Sequence, residues 1–243
     1  MLRDRPSLSM AAGPRGNWIM TFQPKISPQN LCCYIAKQIS TLFPDRDILP
    51  SALSSFIQIA LDRLENCLTH TPLKHFTNDG VTVFNHLNTD QYAIFLYFLC
   101  NSISRENGDP ILSEKVYALN KALHGIDIYY EVNMPEIFTL VHCVGTVIGR
   151  GCFSDYLCVY QGCTIGGNLD LEYPTIKKGV VLYAGSNVIG NSTINENCFI
   201  SASTQIINQD VPANTIVYGT SPDTVFKPTQ RHVVKDVFKV QTP

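Results

Sequence analysis

The sequence predicts an α+β chain in which a helical N-terminal region is followed by a parallel β-coil of six-residue repeats. Three observations carry this. Residues 28–125 place their apolar side chains at helical spacing. From residue 141 an aliphatic or aromatic residue recurs every sixth position. That register breaks once, by eleven residues, and then resumes.

The helical region is read element by element. Residues 28–43 put Leu31, Ile35, Ile39 and Leu42 on one face. Residues 51–70 do the same with Leu53, Phe56, Ile57, Ala60, Leu61 and Leu64. Thr89-Asp90 suits the cap of an apolar helix over 91–103, because short polar side chains accept the unpaired N–H groups of a first turn. Asn107-Gly108-Asp109-Pro110 reads as a turn, residues 113–123 as a further helix, and Gly125 as its stop.

The repeat follows Val141, Val147, Phe153, Val159 and Ile165, jumps to Ile176, and resumes at Leu182, Val188, Ile194, Ile200 and Ile206. Small residues follow four positions later, at Ser186, Ser192, Cys198 and Thr204. Each hexad makes a short strand and a tight bend, and three make one triangular coil. A single coil cannot bury its apolar face, so stacking supplies the core. The register jump measures an extruded loop within Gly166–Thr175. The boundaries expected are a loose leader over 1–27, a helical domain over 28–125, the β-coil over 126–222 and a C-terminal tail over 223–243. Residues 1–20 are set aside from the fold argument.

Composition narrows the class. The 243 residues are 45% hydrophobic and only 16% charged, with net charge −2, which disfavours a nucleic-acid binder. The longest apolar run, residues 92–100, is far short of the roughly 20 residues that span a bilayer. Nine cysteines without Cys-x-x-Cys or zinc spacing read as reduced core thiols of a cytoplasmic protein, with no metal.

The segments Ile126-Asp127-Ile128-Tyr129, Leu140-Val141-His142-Cys143-Val144-Gly145, Cys163-Thr164-Ile165-Gly166-Gly167, residues 174–185, Asp210-Val211-Pro212 and Tyr218-Gly219 carry a resemblance. They resemble the hexapeptide-repeat acyltransferases, and most of all the serine acetyltransferase branch. The resemblance implies a left-handed parallel β-helix, acetyl-CoA as co-substrate, and a trimer or a dimer of trimers. It makes His142 the general base and Asp127 the residue that orients it, fifteen positions apart as in the family. It also implies that Gly166, Gly167, Ala184, Gly185 and Ala202 lie along the pantetheine arm.

The residues themselves support part of this. An imidazole can take the proton of a hydroxyl attacking a thioester, and a carboxylate on its other nitrogen fixes the tautomer. Small residues at coil edges serve the bends of a β-coil equally well. Lys177, Lys178 and Lys227 are candidates for the phosphates of coenzyme A, with Arg231, Lys235 and Lys239 continuing the basic character. His86 is a candidate for the acceptor pocket, whereas His124, His70, His75 and His232 read as helix-end, loop or tail residues.

Two departures from the family bear on the acceptor. Its extruded loop ends in Arg-His before a proline, where this chain has Glu172-Tyr173 before Pro174. Val141 stands where the family has Asp before the base. Glu172 would repel an acceptor carboxylate, and the ring of Tyr173 suits a sugar. The expectation is an O-acetyltransferase acting on a serine-like or, preferably, a sugar or glycan hydroxyl. An N-acyltransferase acting on an amino-sugar and a non-catalytic β-helix scaffold are the alternatives.

Overall fold

The computed structural model describes residues 10–12, 18–20, 22–71, 77–78, 81–238 and 240; His75 and Lys239 lie outside them. Four helices build the N-terminal region. α1 (Pro28–Leu42) starts at Ser27, whose hydroxyl accepts from Asn30 N–H, and buries Leu31, Ile35 and Ile39. Leu42, expected on that face, is exposed. α2 (Ser54–Thr69) follows a short 3-10 turn and buries Ile57, Ala60, Leu61 and Leu64. α3 (Thr89–Arg105) is buried nearly all round, as its unbroken apolar run requires. α4 (Pro110–His124) is capped by Asp109 and stopped by Gly125 at φ 62.

Two expectations are corrected here. The leader over 1–27 is not loose at its end: Phe22–Pro24 pairs in parallel with Val81–Phe84, and Phe22 is buried. The helical region thus carries a small sheet, which also takes in Thr77–Asn78. The cap of α3 is Asn88, whose side chain accepts from Gln91 N–H at 3.1 Å, and not Thr89-Asp90.

Beyond residue 126 the chain winds into a prism with three parallel faces. Leu140, Val159, Leu182, Ile200 and Val217 stack inside the first face. Ile128, Ile148, Ile165, Val188 and Ile206 stack inside the second. Phe153, Ile176, Ile194 and Val211 stack inside the third. The hexad register therefore holds from Phe153 onward. In the first coil it is corrected: Leu140 and Ile148 point inward, while Val141 is half-buried and Val147 exposed. The eight residues from Leu140 to Ile148, against six from Val159 to Ile165, show two inserted residues at this corner.

The small residues behave as the bend demands. Ser186, Ser192, Cys198 and Thr204 are buried, and a Cβ on Gly151 would lie 2.7 Å from the Phe153 ring. At the corner after the first face, Gly145, Gly162, Gly185 and Ser203 take φ from 60 to 73 in successive coils. Glycine meets that left-handed bend without a Cβ penalty, and Ser203 is the exception.

Helices and β-coil share one continuous core. Phe138 packs on Tyr97 and Phe98 of α3. The Arg63 guanidinium bonds both oxygens of Glu136 and also Asn101 and Ser102, joining α2, α3 and the first coil. The described part of the tail, from 223 to 238, folds back. Val225–Pro228 adds an antiparallel edge strand, and Val233 and Phe238 cover Cys158 and Val181 on the outside of the first face.

Candidate active site

His142 lies just past the strand Phe138–Val141, in the two-residue insertion at the first corner. Its backbone takes φ 53. The main-chain N–H donates to Asp90 Oδ2 at 3.2 Å, and its carbonyl accepts from Val144 N–H at 2.6 Å. The side chain is exposed, and its ring makes no hydrogen bond among the described residues. An imidazole held this way has both nitrogens open to a ligand.

Asp127 begins the short strand Asp127–Ile128, laid directly under the turn that follows His142: Asp127 N–H donates to Thr146 O, and Gly145 N–H to Gly125 O. Its carboxylate faces α4. Tyr117 Oη donates to Oδ1 at 2.7 Å and Lys121 Nζ to Oδ2 at 2.6 Å. Partial burial pushes the carboxyl up, but these two bonds outweigh it and hold it below its usual range. The structure thus brings Asp127 and His142 to one corner without a hydrogen bond between them. Tyr129 and Tyr130 extend an aromatic wall beside Tyr117, with Tyr129 exposed.

Asp90 is the site residue that sequence reasoning missed, because its place at a helix start reads as a cap. Asn88 takes that role, which leaves the Asp90 carboxylate for His142. His124 lies close to the same cluster. It is buried at the end of α4, with Nδ1 2.7 Å from Asn120 Oδ1 and its ring edge-on to Tyr92. Burial lowers its pKa more than Asn120 and Asp90 raise it. His86 is half-buried, edge-on to Tyr34, with Nδ1 buried and unpartnered; burial and then Lys25 lower its pKa. A histidine in that environment is neutral at pH 7 and supplies no fixed positive charge.

The extruded loop is held by its own side chains and by asparagines of the coils that follow. Glu172 accepts from Asn168 at 2.7 Å and from Asn191 at 3.3 Å. The ring of Tyr173 lies over Gly167, where a Cβ would come within 2.8 Å of it. Gly167 is thus required by packing. Gly166 is not: it ends the strand Thr164–Gly166, its φ is ordinary, and a Cβ there meets nothing within 4 Å. Its carbonyl accepts from Gly190 N–H, so it is the empty space beside this strand end, and not a free backbone group, that leaves room for the narrow arm of a ligand. At the next corner Gly185 N–H donates to Gln161 O and Ala184 O accepts from Ser203 N–H, so these groups are committed to the coil. Ala202 is exposed on the following turn.

The lysines are spread out. Lys177 is half-buried. Lys178 Nζ lies 5.3 Å from the Tyr156 ring, and Lys227 Nζ lies 5.3 Å from the Tyr218 ring on the edge strand.

Comparison with known proteins places this architecture. No family model matches the chain. A serine acetyltransferase of Staphylococcus xylosus is 31% identical over 148 residues, covering 59% of this chain and 67% of the relative. That of Synechococcus elongatus is 30% identical over 143 residues, and the match spans 58% of its length. The Vibrio cholerae serine acetyltransferase structure superposes with a TM-score of 0.68 at 19% identity, covering 87% of this chain and 83% of that one. The Brucella abortus enzyme, solved in complex with coenzyme A, gives 0.65 at 17%, covering 86% and 84%. With the shared helical region, the stacked hexads and this level of identity, the chain belongs to the serine acetyltransferase family of hexapeptide-repeat acyltransferases.

Proposed function

We propose that this protein transfers an acetyl group from acetyl-CoA to an acceptor hydroxyl, with His142 as general base and a sugar or glycan hydroxyl as the acceptor. The observation that carries the base is the exposed, unbonded ring of His142 at a strained corner; strained backbone gathers where function demands it. A Brucella relative binds coenzyme A. Here the empty space beside Gly166 is where a pantetheine arm fits, and Lys177, Lys178 and Lys227 are candidates for its phosphates.

His142 takes the proton of the acceptor hydroxyl as that oxygen bonds to the thioester carbonyl carbon. The carbon–sulfur bond then breaks, and the leaving thiolate receives the proton back from the imidazolium. Asp127, one strand below, orients the ring once Tyr117 or Lys121 releases one of its oxygens. The electron pair on the tetrahedral oxygen needs donors from the coil edge.

The choice of acceptor rests on charge. Serine needs a cation for its carboxylate, whereas the loop presents Glu172, burial and Lys25 lower the pKa of His86, and Lys121 is already paired with Asp127. Tyr129, the exposed member of the aromatic wall beside Asp127, offers a flat apolar face, which suits a sugar ring.

The test is thiol release from acetyl-CoA over a panel of L-serine, amino-sugars and methyl glycosides. A sugar hydroxyl is expected to be the best acceptor, with an ester product labile in mild base. His142→Ala is expected to lose about 10²- to 10⁴-fold in turnover. L-Serine at about 10⁴ M⁻¹s⁻¹ or more in kcat/KM, with no sugar better, overturns the acceptor. Wild-type turnover in His142→Ala overturns the base.

A further inference from the structure

We propose that Asp90 is the positioning residue of this site, holding the main chain of His142 in the conformation that presents its ring; the proposal rests on His142 being the base.

The geometry of the first corner carries it. In later coils the inward positions across this corner are six apart, as from Leu182 to Val188 and from Ile200 to Ile206. In the first coil they are eight apart. The turn itself remains in step, since Gly162 N–H still donates to Val144 O at 3.0 Å. The extra residues are therefore His142 and Cys143, looped out between a regular strand and a regular turn. Residues looped out of a β-ladder lose its hydrogen bonds, and an unpaired N–H has to find another acceptor or water.

The partner comes from the other half of the molecule. Asp90, in the first turn of α3, accepts the His142 N–H at 3.2 Å. A carboxylate is a stronger acceptor than a carbonyl. Asn88 caps α3, so Asp90 is not needed there. α3 is a firm base for such a contact. Its flanks are buried, Tyr97 Oη donates to Val132 O at 2.7 Å, and Asn101 donates to Tyr130 O at 2.7 Å. On the other side of the insertion, Cys143 is buried and anchors the chain again. His142 is thus clamped at its N–H by Asp90 and at its carbonyl by Val144, at φ 53, with only the ring free.

The test compares Asp90→Ala, Asp90→Asn and His142→Ala in the full chain. Two readouts are used: amide hydrogen exchange of the peptide spanning residues 140–146, and thiol release from acetyl-CoA with L-serine and methyl glycosides as probe acceptors. Asp90→Ala is expected to speed exchange at His142 by about tenfold or more. It should lower kcat by about 10- to 100-fold, the scale of a small misplacement, with KM for acetyl-CoA within about twofold. Asp90→Asn retains an acceptor oxygen and is expected to restore both toward wild type. If Asp90→Ala does not fold, Asp90→Ser takes its place with the same expectation, since its hydroxyl suits a helix start but is too short to reach. Unchanged exchange and kcat in Asp90→Ala, or failure of Asp90→Asn to restore them, overturns the proposal while His142→Ala still loses turnover. Wild-type turnover in His142→Ala overturns the base reading instead, whatever the Asp90 variants do.

Discussion

Lys121 Nζ donates to Asp127 Oδ2 at 2.6 Å, across the junction between α4 and the first strand of the β-helix. This bond, with that from Tyr117, keeps the Asp127 carboxyl below its usual range against the opposing effect of burial. A carboxyl lowered by folding binds its proton more weakly in the native state. Its stabilisation is present above the unfolded pKa of about 3.9 and is lost as pH falls through the native value. Lys121 is half-exposed, so the pair contributes no more than about 1 kcal/mol. Lys121→Met should therefore lower the melting temperature slightly at pH 7 and not at all once Asp127 is protonated. Thermal melts of both proteins across that range check it.

The two glycines of the Gly166-Gly167 pair should respond in opposite ways. A Cβ at Gly166 meets nothing, so Gly166→Ala should fold like wild type while raising KM for acetyl-CoA. A Cβ at Gly167 meets the Tyr173 ring at 2.8 Å, so Gly167→Ala should displace the loop and cost about 1–3 kcal/mol. Melting curves beside coenzyme titrations separate the two effects. Equal behaviour in both assays would remove Gly166 from the coenzyme path.

His124 and His86 predict the acid limb of stability. Burial lowers both pKa values in the folded chain. The unfolded chain takes up protons near pH 6.5 while the folded chain resists, so stability should fall as pH drops below about 6.5. His124→Gln, which removes one of the two groups, should make the dependence of melting temperature on pH between neutrality and about 5.5 shallower. A slope identical to wild type would show that folding does not lower the pKa of His124.

The family resemblance implies a trimer or a dimer of trimers, and the outside of the first face is the surface proposed to close it. Val181 and Cys158 lie under Val233 and Phe238, but Tyr160 and Tyr183 remain half-buried beside them. A trimer closing over this face, or two such trimers paired, would bury them. Light scattering should give three or six times the 27.1 kDa of one chain. A stable monomer at micromolar concentration refutes it. Phe238→Ala, which uncovers Cys158 and Val181, should cost about 3 kcal/mol or more.

The order of the helices and of the coils, the stacking of Phe153, Val159, Ile165 and their equivalents, and the extruded loop were legible in the sequence, because they follow from local periodicity. His142 and Asp127 were singled out by the resemblance to the family and not by the repeat. A hexad repeats because each strand must bury the same side, and that requirement is written every six residues. The tertiary structure alone decided what the periodicity does not encode. The insertion of His142 and Cys143 shifts the first coil, because a bulge is tolerated where a neighbouring element supplies its hydrogen bonds. Asp90 reaches across 52 residues to supply one. Asn168 and Gly167 hold Glu172 and Tyr173 from within the loop, but Glu172 also meets Asn191 of the next coil, a contact made only once the coils stack. Asp127 faces Tyr117 and Lys121 because α4 packs against the first strand. Contacts of this kind depend on which side of one element meets which side of another, and the sequence of each element leaves that open.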